Sequence, residues 1–376
     1  MDKDSNDNLE FYVTAAPGTE AALRDELIEL RFRQVRLNRG GIPFFGTRED
    51  GWRACLESRI GQRVMQVIGR FPAHNLDELC QNADKIDWGH YLTAAQTISC
   101  AAFAHESCGQ NPDFVALKTK DVIVDQMRRC YGVRPDVNRT DPDVRIFTYW
   151  GRDKATVYLD LSGEPLFKRG YRLSGGEAPL KETLASAILR MSGWDRKLPL
   201  VDPMCGSGTL LTEAGLWAAN VAPGLRRAKF GFERWADFHR EDAEALASLK
   251  GELRRRAHGQ HPRITGYDLD AAALELAQAN AKAAGLRLSF HQMPLRELQG
   301  DGIRRMLVTN PPYGVRLEAE NSLYQELGNA IRRLKGWRAA VLIGNPRCLK
   351  AIRMTPDATF PLKNGAIDCQ LAVFEI

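Results

Sequence analysis

Asn310-Pro311-Pro312-Tyr313 follows the apolar run 306–309 and is the segment of this chain best equipped for chemistry. Two consecutive prolines can neither extend a strand nor enter a helix interior, so they hold a stiff loop. Proline keeps its carbonyl acceptor and brings no N–H to compete for it. The Asn310 amide oxygen and the Pro311 carbonyl can therefore accept both hydrogens of an exocyclic amine and aim its lone pair at an electrophile. Tyr313 adds a ring for a base to stack on, worth about 1–3 kcal/mol. A second group, Asp202-Pro203-Met204-Cys205-Gly206-Ser207-Gly208-Thr209, joins an apolar run to a helix-forming one. Its two glycines let the backbone bend tightly and approach a ligand, and the helix start offers unpaired N–H groups. Asp268 ends the next apolar run, where a carboxylate can accept hydrogen bonds from ribose hydroxyls.

The glycine loop is not a dinucleotide fingerprint. Leu211 stands where a small residue is needed, no Gly-Lys-Thr follows, and Asp268 comes 60 residues after Gly208, against roughly 20 in a compact dinucleotide site. A sulfonium nucleoside suits the loop better, since it needs acceptors for an amino group and a ribose but no phosphate cradle.

These residues sit where the chain alternates strand and helix. Strands are expected at 198–201, 264–267, 286–291, 306–309, 339–343 and 370–375, with helices at 209–220, 271–284 and 322–334. That alternation predicts a doubly wound, largely parallel α/β sheet whose ligands lie at the carboxyl ends of its strands. Residues 221–263 read as a helical insertion. Upstream, short strands and helices of mixed order occupy the first 161 residues, including a hairpin of 35–37 with 42–45 and a helix over 118–130. The turn-rich segment 162–178 reads as a joint.

The 376 residues are 44% hydrophobic and 26% charged, with a net charge of +5, the composition of a soluble globular chain. No run approaches the ~18 apolar residues of a membrane span, and the polar, acidic start lacks the plan of a signal peptide. Eight scattered cysteines without a CxxC pair argue against a disulfide framework and against zinc, and fit a reducing cytoplasm. His105, His258 and His261 read as ordinary polar residues, so no metal is expected, and Cys205 reads as packing. Charge is uneven: residues 30–70 hold nine basic and three acidic side chains, residues 71–164 ten and fourteen.

The Asp202–Thr209 and Asn310–Gly314 segments together resemble the class I, S-adenosylmethionine-dependent amino methyltransferases. Arg169-Gly170-Tyr171-Arg172, Leu180–Ala185, Ala222-Pro223-Gly224 and Phe230–Trp235 are similar to segments of the THUMP-containing guanine-N2 RNA methyltransferases, and Phe114–Lys118 with Lys120-Asp121 resembles a THUMP helix start. The resemblance covers nearly the whole chain and extends to the bacterial enzymes that make N2-methylguanine in 23S rRNA. With one methyltransferase unit ending at Ile376, the stand-alone form is the expectation.

The resemblance implies a ferredoxin-like domain over 1–70, a THUMP domain over 71–162 and a Rossmann-like methyltransferase domain over 163–376. It implies catalysis by Asn310, Pro311, Pro312 and Tyr313. Asp202, Met204, Cys205, Gly206, Ser207, Gly208 and Thr209 would line the cofactor, Asp268 would bind its ribose, and Glu182 and Thr183 would sit near its amino-acid end. Two positions depart from the pattern: Pro294 stands where an acid near adenine is usual, and Val315 replaces a Glu. RNA would be held by Arg31, Arg33 and Arg36, with Arg39 beside them and Phe32 interleaved, and by Lys118, Lys120 and Arg128, with Arg129 nearby. The implied partner is 23S rRNA or a large-subunit assembly intermediate, bound by a cytoplasmic monomer with no membrane contact. A tRNA guanine-N2 methyltransferase, an adenine-N6 methyltransferase and a non-catalytic RNA-binding assembly module remain as alternatives.

Overall fold

The computed structural model describes residues 8–173, 180–312 and 317–376. Tyr313, Gly314 and Val315 lie outside the described residues, as does part of the expected joint.

Strands β1 (Leu9–Thr14), β2 (Gly41–Gly46) and β3 (Arg63–Pro72) alternate with helices α1 (Glu20–Glu29) and α2 (Arg48–Glu57). Then come α3 (Leu76–Ala83), α4 (Trp88–Tyr91), β4 (Thr97–Ala104), α5 (Pro112–Tyr131), β5 (Asp136–Val137), β6 (Val144–Trp150) and β7 (Lys154–Asp160). All seven strands form one sheet, ordered β2-β1-β3-β7-β6-β4-β5. β3 runs antiparallel to β7 from Met65↔Asp160 to Pro72↔Lys154, so the sheet is continuous from the first segment into the second. Strand periodicity sends Phe11, Val13, Val64, Ile98, Ile146 and Leu159 into one core with Leu23, Leu27, Ile123 and Met127 of the helices. The intervening residues face the other way.

Local chemistry sets the helix ends. A capping box opens α2, the Thr47 hydroxyl accepting from the Asp50 N–H and the Asp50 carboxylate from the Thr47 N–H. Asn111 caps α5, Pro112 starts it and left-handed Gly132 stops it, so the helix begins six residues before the expected 118. The expected hairpin partner 35–37 is not a strand. Only Arg33 bridges Phe45, and the Arg36 N–H reaches the Pro43 carbonyl at 3.4 Å, but Pro43 has no N–H to return a bond.

The second half contains α6 (Glu182–Met191), β8 (Leu200–Asp202), α7 (Thr209–Ala218), α8 (Arg240–Arg256), β9 (Ile264–Asp268), α9 (Ala271–Ala283), β10 (Ser289–Gln292), β11 (Met306–Thr309), α10 (Leu317–Arg333), β12 (Arg338–Ile343), β13 (Ala358–Asn364) and β14 (Ile367–Glu375). Its sheet is ordered β10-β9-β8-β11-β12-β14-β13. The first five strands are parallel, and β14 runs antiparallel to both β12 and β13. Strand order reverses between β8 and β11, which creates a crevice at their carboxyl ends.

The halves are packed together. Residues 221–263 supply two 3-10 turns and α8, and Phe232 stacks on Trp52 of α2 at 5.5 Å. The Arg227 guanidinium donates to the carbonyls of Ser162, Glu164, Pro165 and Lys168, fastening the linker along its length. Arg169 and Glu213 form a fully buried pair at 3.0 Å. Tyr171 and Ser186 also donate to Glu213, and Arg169 donates to the Arg59 carbonyl.

Candidate active site

At the strand-order reversal lies a cleft of about 660 Å³, walled by the turn after β8, the end of β9, residues 293–296 after β10 and the Asn310-Pro311-Pro312 corner after β11. That volume lies within the range of small-molecule sites.

The β8–α7 turn is held from both sides. Gly206 and Gly208 have φ of +50° and +75°, a region that favours glycine. A Cβ on Gly208 would lie 2.9 Å from Ala277 of α9, whereas one on Gly206 would meet nothing within 4 Å. The first glycine therefore serves backbone conformation, and the second also close helix approach. The Gly206 N–H donates to Asp268 Oδ2 at 2.8 Å and the Asp270 N–H to Asp268 Oδ1 at 3.0 Å. Each oxygen retains a lone pair for a further donor. Asn280, buried in α9, donates to the Ser207 carbonyl at 3.1 Å and accepts the Leu173 N–H. Sequence reasoning missed Asn280, because a lone Asn among alanines on a helix gives no pattern to detect.

Asp202 is 2% exposed. Burial pushes its carboxyl up to about 7, against the pull of the Thr309 hydroxyl and the Met204 N–H, and nearby Asp268 pushes the same way. A cation bound beside it would favour the ionised form. Cys205 is buried, and desolvation raises its thiol; a Cβ on Gly266 would sit 2.8 Å from its sulfur. It packs the turn.

Asn310 carries an orphan. Its Oδ1 is buried and has no hydrogen-bond partner among the described residues, although Asn310 and both prolines line the cleft. An unmet buried acceptor costs roughly 1–3 kcal/mol.

Of the other expected residues, Asp202, Met204, Cys205, Gly206, Ser207, Thr209 and Asp268 line the cleft, while Gly208, Glu182 and Thr183 are not among its lining residues. Glu182 accepts from Arg172 Nε at 2.9 Å, and Arg172 also reaches the Leu180 carbonyl and the Thr209 hydroxyl. Burial raises the Glu182 carboxyl, opposed by Arg172. This pair braces the wall that Leu180 and Thr209 present. Pro294 does line the cleft, so an apolar ring stands where an acid was looked for. No group of metal-ligating side chains occurs among the described residues.

Arg31, Arg33, Arg36 and Arg39 are exposed on one loop, but Phe32 is core, packed on Phe44 with ring centroids 4.5 Å apart. On α5, Lys120 pairs with Asp121 and Arg129 with Asp84, while Lys118 lies over the Phe114 ring. At 100° per residue, Lys118 and Arg129 share one side of the helix, and Lys120 and Arg128 do not join them.

Three family profiles match the chain: the RMKL-like methyltransferase domain over 169–373, the THUMP domain over 73–160 and the RlmL ferredoxin-like domain over 10–65. A protein named ribosomal RNA large subunit methyltransferase K/L from Syntrophotalea carbinolica is 40% identical over 98% of this chain and 54% of its own length. Its namesake from Aeromonas hydrophila is 39% identical with the same coverage. The chain thus spans about half the length of the curated relatives it matches. Among solved structures, SMU.472, a putative methyltransferase complexed with SAH, is 31% identical with a TM-score of 0.86 over 98% of each chain. A predicted N6-adenine-specific DNA methylase from Listeria monocytogenes is 30% identical with a TM-score of 0.88, over 98% of this chain and 96% of that one.

Proposed function

From the premise that the chain belongs to the RMKL-like methyltransferase family, we propose that it methylates the exocyclic N2 amine of a guanine in 23S rRNA, using S-adenosylmethionine. The observation that carries this reading is Asn310, which lines the cleft at the strand-order reversal and whose buried Oδ1 has no hydrogen-bond partner among the described residues.

The donor set fits the cofactor. Asp268 has acceptor capacity left for ribose hydroxyls, the turn from Met204 to Thr209 offers backbone close to the ligand, and Asp202 can face a positive amino-acid end. When bound, S-adenosylmethionine supplies an electrophilic methyl group on its sulfonium. The protein's part is orientation: Asn310 accepts one hydrogen of the amine and Pro311 the other, which localises the nitrogen lone pair. Holding the two reactants in line can supply about 7–11 kcal/mol of barrier reduction. The target base must be unpaired or flipped out to enter, and Tyr313 is the ring proposed to receive it. Such a substrate places the protein in the cytoplasm. Among the described residues, no helix is long and apolar enough to cross a membrane.

The test is incubation with labelled cofactor and deproteinised 23S rRNA or total tRNA, followed by digestion to nucleosides. Label in N2-methylguanosine from rRNA supports the reading. Label from tRNA, or in N6-methyladenosine, would replace it with the corresponding alternative. Asn310→Ala should lower turnover by about 10²-fold, the scale of a misplaced reactant, while cofactor affinity stays near wild type. Wild-type turnover in that variant would remove Asn310 from the mechanism.

A further inference from the structure

The face of the first sheet turned away from its helices carries a row of rings. Phe103 of β4 and Tyr149 of β6 are direct cross-strand partners, stacked with centroids 5.2 Å apart and planes 8° apart. Phe147 and Tyr158, partners on β6 and β7, continue the row at 6.3 Å, and Tyr12 of β1 lies 6.0 Å beyond Tyr158. Phe103 and Tyr149 are 44% and 42% exposed. β5 pairs only with Thr97 and Ile98 of β4, so no strand flanks Phe103 on its outer side.

The ring face carries both signs, with Glu10 paired to Arg70 beside Tyr158, while the helix side is rich in acids. Asp77, Glu78, Asp113, Asp121 and Asp125 lie on α3 and α5, Asp84 caps the end of α3 and Asp87 the start of α4, and two of them pair with Lys120 and Arg129. Cations flank each end of the ring row, with Asp153 among them at one end and Glu20 near Tyr12 at the other. Gly151, in the turn after β6, packs toward Tyr149, and Arg152 and Lys154 beside it are exposed. At the far end, the Tyr12 hydroxyl donates to the Arg39 carbonyl at 3.0 Å, joining the row to the loop that bears Arg31, Arg36 and Arg39.

Phe147 and Tyr12 are half-buried and Tyr158 is buried, so the accessible rings are Phe103 and Tyr149. We propose that this exposed pair is a stacking platform for a single-stranded RNA segment, with bases on the two rings and phosphates on the cations that flank the row. The inference rests on RNA being the substrate, and it moves the grip from α5 to the opposite side of the sheet. Stacked rings flanked by positive charge suit single strands, whose base faces are free; a duplex hides those faces and offers its backbone and shallow groove.

The test uses the full chain and fluorescence anisotropy with an unstructured RNA of about 12 nucleotides and a hairpin duplex. The Phe103→Ala/Tyr149→Ala double variant, confirmed folded by its melting curve, should bind the single strand at least about tenfold more weakly with an unaltered salt slope. Phe103→Trp should restore binding in the single-site background and Phe103→Leu should not. Arg152→Gln/Lys154→Gln should instead flatten the salt slope by about 1.4, at 0.7 per phosphate contact. Wild-type affinity in the double alanine variant, or equal losses for strand and duplex, would overturn the proposal and leave the face as a docking surface for protein. Failure of the wild-type protein to methylate rRNA would refute the catalytic reading and leave these binding results intact.

Discussion

Asp202→Asn should make the protein more stable and less able to hold its cofactor. The carboxyl is lifted from an ordinary 3.8 to about 7, because folding strips its water and returns little. A group whose proton affinity rises on folding contributes fully below its unfolded value, and that contribution is lost as pH climbs through the folded one. For Asp202 the losing window runs from about pH 4 to 7. At 1.36 kcal/mol per tenfold in proton affinity, the full penalty above pH 7 is ~4 kcal/mol. Asparagine keeps an oxygen for the Met204 N–H, now 3.1 Å from Asp202 Oδ1, and carries no charge to desolvate. The variant's advantage over wild type should therefore widen by ~2–3 kcal/mol between pH 5 and pH 8. Urea unfolding at both pH values measures it, with calorimetric titration of the cofactor alongside. Stability differences that stay parallel across the two pH values would refute the assignment of a buried, reluctantly ionised carboxyl.

Three further substitutions test the scaffold. Glu213→Ala leaves the Arg169 guanidinium buried without its counter-charge and takes an acceptor from Tyr171 and Ser186, so unfolding should become easier by ~3–5 kcal/mol; an unmoved urea midpoint would contradict that. Gly208→Ala pushes a Cβ to 2.9 Å from Ala277 at φ +75° and should cost ~1–3 kcal/mol together with cofactor affinity. Gly302→Ala, at φ +78° with nothing within 4 Å, should show backbone strain alone and leave the cofactor affinity unchanged.

The strand order and cleft of the second half were readable because its punctuation is local. Asp202, Asp268 and Asn310 each end an apolar run, and glycine or proline marks the turn that follows two of them. What escaped depends on distant partners. No strand was expected over 358–364, where Pro361 lacks an N–H, yet β13 is the edge of its sheet, where a missing N–H is tolerated. Phe32 looked available for RNA until Phe44 covered it. The lysines of α5 looked like a basic helix until Asp121 and Asp84 were placed beside Lys120 and Arg129. Arg169 and Tyr171 were recognisable as a familiar segment, but only the fold shows them meeting on Glu213.

The seam between β3 and β7 has a mechanical result. Seven strands at about 4.8 Å make the first sheet roughly 29 Å across, continuous through its middle, and Arg227 rivets the linker leaving its middle strand to the other half. The molecule is built like a caliper with both jaws locked. On the function proposed above, a nucleotide presented to the cleft would be chosen by how far it sits from whatever is gripped on the other arm, and length would become a criterion of selection alongside sequence.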